Sequence, residues 1–171
     1  MRSLWLFSIF VSNPMHLTIQ TWSDNQILRN LSSIVTPHEL HKYRVLGESM
    51  CVYIRNPKHR GIGLAAPQVG VNKRIIVVWL PKKRDDESFP VVLMINPIIL
   101  DKSPKTDVDE EGCLSLPGIL WDVTRSTSIE LEWIDLKGKK MRKNIQGFWA
   151  RVIQHEIDHL DGILISDKFL K

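Results

Sequence analysis

Apolar positions along the chain follow first a helical period, then a strand period, then a helical one again. Leu46, Met50 and Tyr53 recur at helical spacing, and Thr36-Pro37-His38-Glu39 ahead of them reads as a capping box with proline at the first helical position. That helix is expected to end before Pro57. Arg74 to Leu80 reads as a strand, and Val91 to Ile95 as a second one stopped by Asn96-Pro97. Ile129, Leu131 and Trp133 alternate with Ser128, Glu130 and Glu132, the mark of a strand buried on one face. Asp135-Leu136-Lys137-Gly138 turns the chain, and Lys140 to Ile145 returns as the hairpin partner. After Gly147 the helical period resumes in Ala150, Ile153, Ile157 and Leu160. Phe148, Trp149 and Val152 add apolar surface on its other sides, so this helix is expected to be buried nearly all round, with Gly162 at its C′ stop. The order implies an α+β fold: mainly antiparallel β-sheets packed around a central C-terminal helix, with one N-terminal helix.

Gly61-Ile62-Gly63-Leu64-Ala65-Ala66-Pro67-Gln68-Val69-Gly70 joins the first helix to the first strand. A nucleotide-binding glycine loop needs a strand before it and a helix after it. Here that order is reversed, which excludes it. Small residues also let a backbone approach a ligand closely.

Composition narrows the class. A chain of 171 residues with 43% hydrophobic and 25% charged residues is an ordinary globular chain. One domain is expected over 15–171, preceded by an extension, 1–14, whose apolar run Leu4 to Val11 is too short to span a bilayer. The net charge of +4 is mild. Lys82-Lys83-Arg84 followed by Asp85-Asp86-Glu87 reads as a solvated loop, and Lys137, Lys139, Lys140, Arg142 and Lys143 as a wet hairpin rather than a nucleic-acid patch. Two cysteines make no disulfide scaffold and suit reducing, cytoplasmic surroundings; Cys51 reads as a core residue.

The chemistry sits in the last helix, at Gln154-His155-Glu156-Ile157-Asp158-His159. His-Glu-x-x-His on a helix puts both imidazoles on one face within reach of one metal ion, with the glutamate beside it to handle the protons of a water. A catalytic site usually needs a third protein ligand. No Glu follows Glu156, a His six residues beyond His159 is replaced by Ile165, and Asp161 and Asp167 are badly placed to reach back. The ligand is therefore sought upstream, and Cys113 in Glu111-Gly112-Cys113-Leu114-Ser115-Leu116-Pro117 is the best candidate. A Cys-His-His set is acceptable to iron, zinc, nickel or cobalt.

Together, Gly61–Gln68, Glu111–Ser115 and Gln154–His159 resemble the three motifs of the peptide deformylase family, in the family's order. The similarity extends through Leu28-Arg29, Ile95-Asn96-Pro97, Arg125 and Asp135 to Gly138, covering about Asp24 to Asp167. It implies a hydrolase that removes formate from the N-formylmethionine of nascent chains. It further implies Cys113, His155 and His159 as ligands, normally to Fe²⁺, Glu156 as general base and acid, and Gln68 with the Leu114 N–H as oxyanion donors. A peptide added as a strand would lie between Ile62-Gly63 and Gly112, with Ile62, Phe148 and Val152 around its methionine; Arg151 has no evident role in this arrangement. The segment Ile54 to Arg60 looks longer and more polar than the family's join, and the C-terminal helix that many members carry is missing, as would be helix-mediated docking at the ribosome exit. Two other readings compete: an HExxH metalloprotease, and a non-catalytic relative binding ribosome or RNA through the Lys137–Lys143 hairpin. A monomer without membrane attachment is expected.

Overall fold

The computed structural model describes residues 14–59, 61–79 and 91–168. Residues 1–13 of the extension, Arg60, Leu80 and the charged loop Lys82 to Glu87 lie outside them. A five-stranded antiparallel sheet in the order β1-β2-β3-β6-β7 carries the fold: β1 Gly63–Ala65, β2 Ile75–Trp79, β3 Val91–Lys102, β6 Ser128–Ile134 and β7 Lys140–Gln146. A hairpin of β4 Thr106–Cys113 and β5 Leu116–Ser126 forms a second sheet. Helix α2, Leu40–Arg55, covers one face of the large sheet and α3, Phe148–Leu160, the other.

Strand β2 shows why its run is apolar throughout. Ile75 and Val77 pack with Leu46, Met50 and Ile54 of α2, while Ile76 and Val78 pack with Ile153 and Ile157 of α3. A strand covered on both faces has no polar side to display. In β6 Ile129, Leu131 and Trp133 are buried on the α3 side and alternate with half-buried residues, of which Ile134 packs toward α2. The β6–β7 hairpin pairs its charges across strands, Arg142 with Glu130 at 2.8 Å and Lys140 with Glu132 at 2.9 Å. Cys51 is 1% exposed, and burial pushes its thiol up to about 12.

The capping box forms as expected: Glu39 accepts from the Thr36 backbone N–H at 2.9 Å ahead of α2, which ends at Arg55. Two expectations are corrected. Asn96-Pro97 does not stop the second strand, because β3 runs on through it to Lys102 with a register shift between Ile95 and Ile98. Asn96 takes φ +51°, and its side chain accepts from the Val35 N–H and donates to the Val35 carbonyl, each at 2.8 Å. Asparagine tolerates that left-handed backbone, and Pro97 sits where the ladder skips. Burial of α3 is also incomplete, since Phe148 at its first turn is 53% exposed. A single turn, α1 Gln26–Arg29, capped by Asn25, adds to the one N-terminal helix expected. Among the described residues no helix is long and apolar enough to cross a membrane.

Candidate metal centre

Helix α3 starts from Gly147 at φ +61°, a conformation suited to glycine, and is docked on β5 by Gln154, which donates to the Ser126 carbonyl at 2.9 Å. One turn apart on it, His155 and His159 place their rings edge to face with centroids 5.0 Å apart. Cys113, the last residue of β4, brings its Sγ to 3.2 Å from His159 Nε2. One ligand atom from each of Cys113, His155 and His159 lies within 4.8 Å of the others. A tetrahedral ion bound to sulfur and nitrogen would set its donors about 3.5 Å apart, so a thiolate and two imidazoles at this spacing fit one divalent ion with a position left open. Asp161 and Asp167 are engaged elsewhere, with Arg74 and Arg29.

Burial is the largest single effect on Cys113 and opposes its charge, but the electrostatic pull of His159 and His155 and their hydrogen bonds together outweigh it and hold the thiol well below its usual range. Burial likewise opposes charge on His155, where hydrogen bonds to Cys113 and Glu111 prevail and raise it to about 10. Glu156 is 4% exposed, and burial lifts its carboxyl to about 7 against the pull of His155 and His159. Its Oε2 has no hydrogen-bond partner among the described residues. A carboxyl with proton affinity near neutrality is suited to exchanging protons.

Gln68 reaches the centre from a 3-10 turn, Ala66–Val69. Its Oε1 accepts from the Ala65 N–H at 2.9 Å, which fixes the amide so that Nε2 points to Ser115 Oγ at 3.1 Å and Cys113 Sγ at 3.6 Å. Leu114 follows Cys113 in the β4–β5 turn, and Gly112 is exposed beside it. Ile62 and Val152 pack in one apolar cluster with α3, Gly63 is buried at the start of the edge strand β1, and Phe148 stands outside that cluster against Trp149.

Sequence reasoning missed the support beneath the histidines. Glu111 is 6% exposed and fully engaged: Oε1 accepts from Arg125 Nε at 3.0 Å and Arg151 Nη1 at 2.7 Å, Oε2 from Arg125 Nη2 at 2.9 Å and His155 Nδ1 at 2.9 Å. Arg125 also pairs with Asp158, and Arg151 donates to Asp107 Oδ1 at 2.6 Å. With Nδ1 donating to Glu111, Nε2 is the His155 nitrogen left for a metal, which would displace the proton it carries. Arg151 lies four residues before His155, so the two share a helix face, but their common acceptor Glu111 lies 40 positions upstream of Arg151.

A model of the polypeptide deformylase family matches residues 16–171. The chain belongs to that family. Among curated relatives, a peptide deformylase of Prochlorococcus marinus (strain NATL2A) is 46% identical over 125 residues, covering 73% of this chain and 60% of the relative. Another from Pelotomaculum thermopropionicum is 50% identical over 109 residues, covering 64% of this chain and 65% of the relative. These alignments thus span under two thirds of the relatives' length. Peptide deformylase structures are similar too: that of Thermotoga maritima has a TM-score of 0.80 at 35% identity, covering 92% of this chain and 99% of that one. A Met-Ala-Ser-bound class I type b deformylase from Acinetobacter baumannii has a TM-score of 0.82 at 32% identity, covering 92% of this chain and 100% of that one.

The two cysteines of this chain should separate by reactivity. In native metal-free protein, an alkylating agent is expected to modify Cys113 and spare Cys51, while a bound ion should protect Cys113 as well. Peptide mass mapping reads this directly, and early labelling of Cys51 would contradict its burial.

Proposed function

We propose that this chain removes the formyl group from N-terminal formylmethionine of nascent polypeptides, releasing formate. Family membership supports the reading, and one observation carries it: a Cys-His-His donor set converges with a buried glutamate and a side-chain amide donor. An ion held by Cys113, His155 and His159, with Fe²⁺ as the native metal and Zn²⁺, Ni²⁺ or Co²⁺ as substitutes, supplies Lewis acidity and lowers the pKa of water toward neutrality. Glu156 takes a proton from water as its oxygen bonds to the formyl carbon. Gln68 Nε2 and the Leu114 N–H steady the developing oxyanion. Glu156 then returns the proton to the amine as the C–N bond breaks, and the formic acid released gives up its remaining proton to solvent, leaving formate and a free methionyl amino group.

The peptide backbone pairs as an added strand with Ile62-Gly63 on one side and Gly112 on the other, in keeping with the edge position of β1. Ile62 and Val152 offer an apolar wall to the methionine side chain, with Phe148 at its rim. We place the enzyme in the cytoplasm as a monomer that meets its substrate near the ribosome exit.

The test is formate release from a formyl-Met tripeptide by anaerobically purified protein whose metal content is measured in parallel. Turnover proportional to bound metal is expected. A folded protein carrying one ion per chain yet silent on this substrate would overturn the proposal, and cleavage of internal, unformylated bonds would replace it with proteolysis.

A further inference from the structure

We propose that Gly63 is a positioning residue for Glu156: the space left by its missing side chain seats the carboxylate, so edge strand β1 fixes where that group handles protons. A Cβ built on Gly63 would lie 2.2 Å from Glu156 Oε1, 2.8 Å from Cδ and 2.9 Å from Cγ, its three nearest heavy atoms. Three successive positions of one side chain lie against the backbone here, so rotating the carboxylate tip alone does not clear the contact. Glycine is needed for room rather than for conformation. Gly63 is paired strand backbone, opposite Val78, and is not among the glycines at positive φ. On the far side, Glu156 Oε2 has no hydrogen-bond partner among the described residues, so on that side no hydrogen bond holds the carboxylate. Backbone pairing with a peptide explains an edge strand at this position; it does not explain the absence of a side chain turned toward Glu156.

The positioning role rests on Glu156 as the proton carrier, whereas the seat itself is testable without any substrate. Melting temperatures of the metal-loaded parent, Gly63→Ala, Glu156→Ala and the double variant form the first measurement, since truncation at 156 removes all three contacted atoms. Gly63→Ala is expected to lower the midpoint by about 4 °C or more in the parent and by less than half that in the Glu156→Ala background. Equal losses in both backgrounds would overturn the seat. If Gly63→Ala alone fails to fold, folding of the double variant supports it and failure of both overturns it.

The second measurement is turnover of a formyl-Met tripeptide with Co²⁺ affinity alongside. A displaced carboxylate should cost Gly63→Ala about 10²-fold in kcat, with KM and Co²⁺ affinity unchanged. A raised KM at unchanged kcat would mean that Gly63 serves only to align the peptide. Coupled melting temperatures with no deformylation by the parent would sink the proton-carrier reading and the positioning role with it, leaving only a packing contact.

Discussion

Replacing Glu156 with glutamine is expected to cut kcat/KM on a formyl-Met peptide by about 10²–10⁴-fold while the centre still takes up its ion. The exchange keeps the shape of a side chain that is 4% exposed and wedged against Gly63, so packing changes little. What disappears is a proton site that burial tunes to about 7. An amide cannot take a proton from water and return it to an amine. The loss corresponds to about 3–5 kcal/mol of barrier. A Co²⁺ titration of the same variant separates the causes, because Glu156 is not one of the three donors. If the variant turns over normally, Glu156 is not the proton carrier. If it fails to bind Co²⁺, its role is to support the centre.

The centre was legible in the sequence wherever chemistry follows from local spacing. His155 and His159 needed only the helical repeat, and the stripe Ala150, Ile153, Ile157 and Leu160 supplied the helix; all four are buried. Cys113 needed the absence of a downstream ligand. The β4–β5 hairpin was missed because Thr106 to Glu110 are all exposed and show no alternation, so nothing marked them as strand. β1 is three buried residues, too short for any period. Asn96 misled for a different reason. Its left-handed backbone is stabilised by both backbone groups of Val35, a partner 61 positions away that no local rule reveals. Arg151 stayed without a role on the same ground. Its acceptor Glu111 lies 40 positions upstream, and only the packing of β4 and β5 against α3 brings the two together.

Glu111 is where that hidden support should show its largest effect. Glu111→Gln is expected to weaken Co²⁺ or Zn²⁺ binding by about 10–100-fold and to destabilise the metal-free protein by about 3–5 kcal/mol. Four donors meet its two oxygens: three N–H groups from Arg125 and Arg151, plus His155 Nδ1. A carboxylate can accept all four; an amide offers one oxygen, and its NH₂ would face guanidinium or imidazole N–H groups. Arg125 and Arg151 have side chains only 2% and 6% exposed, so water cannot readily replace the lost acceptor. His155 would lose the bond that fixes its tautomer, whereas His159 should be unaffected, because its Nδ1 has no partner among the described residues to lose. Urea unfolding of the metal-free variant reads the ion-pair cost without the metal. A competition titration with a chromophoric chelator then reads the affinity. Loss of stability with unchanged affinity would mean that Glu111 serves the fold and not the ligand. Weakened affinity that an Arg151→Met variant does not share would assign the effect to the His155 bond itself.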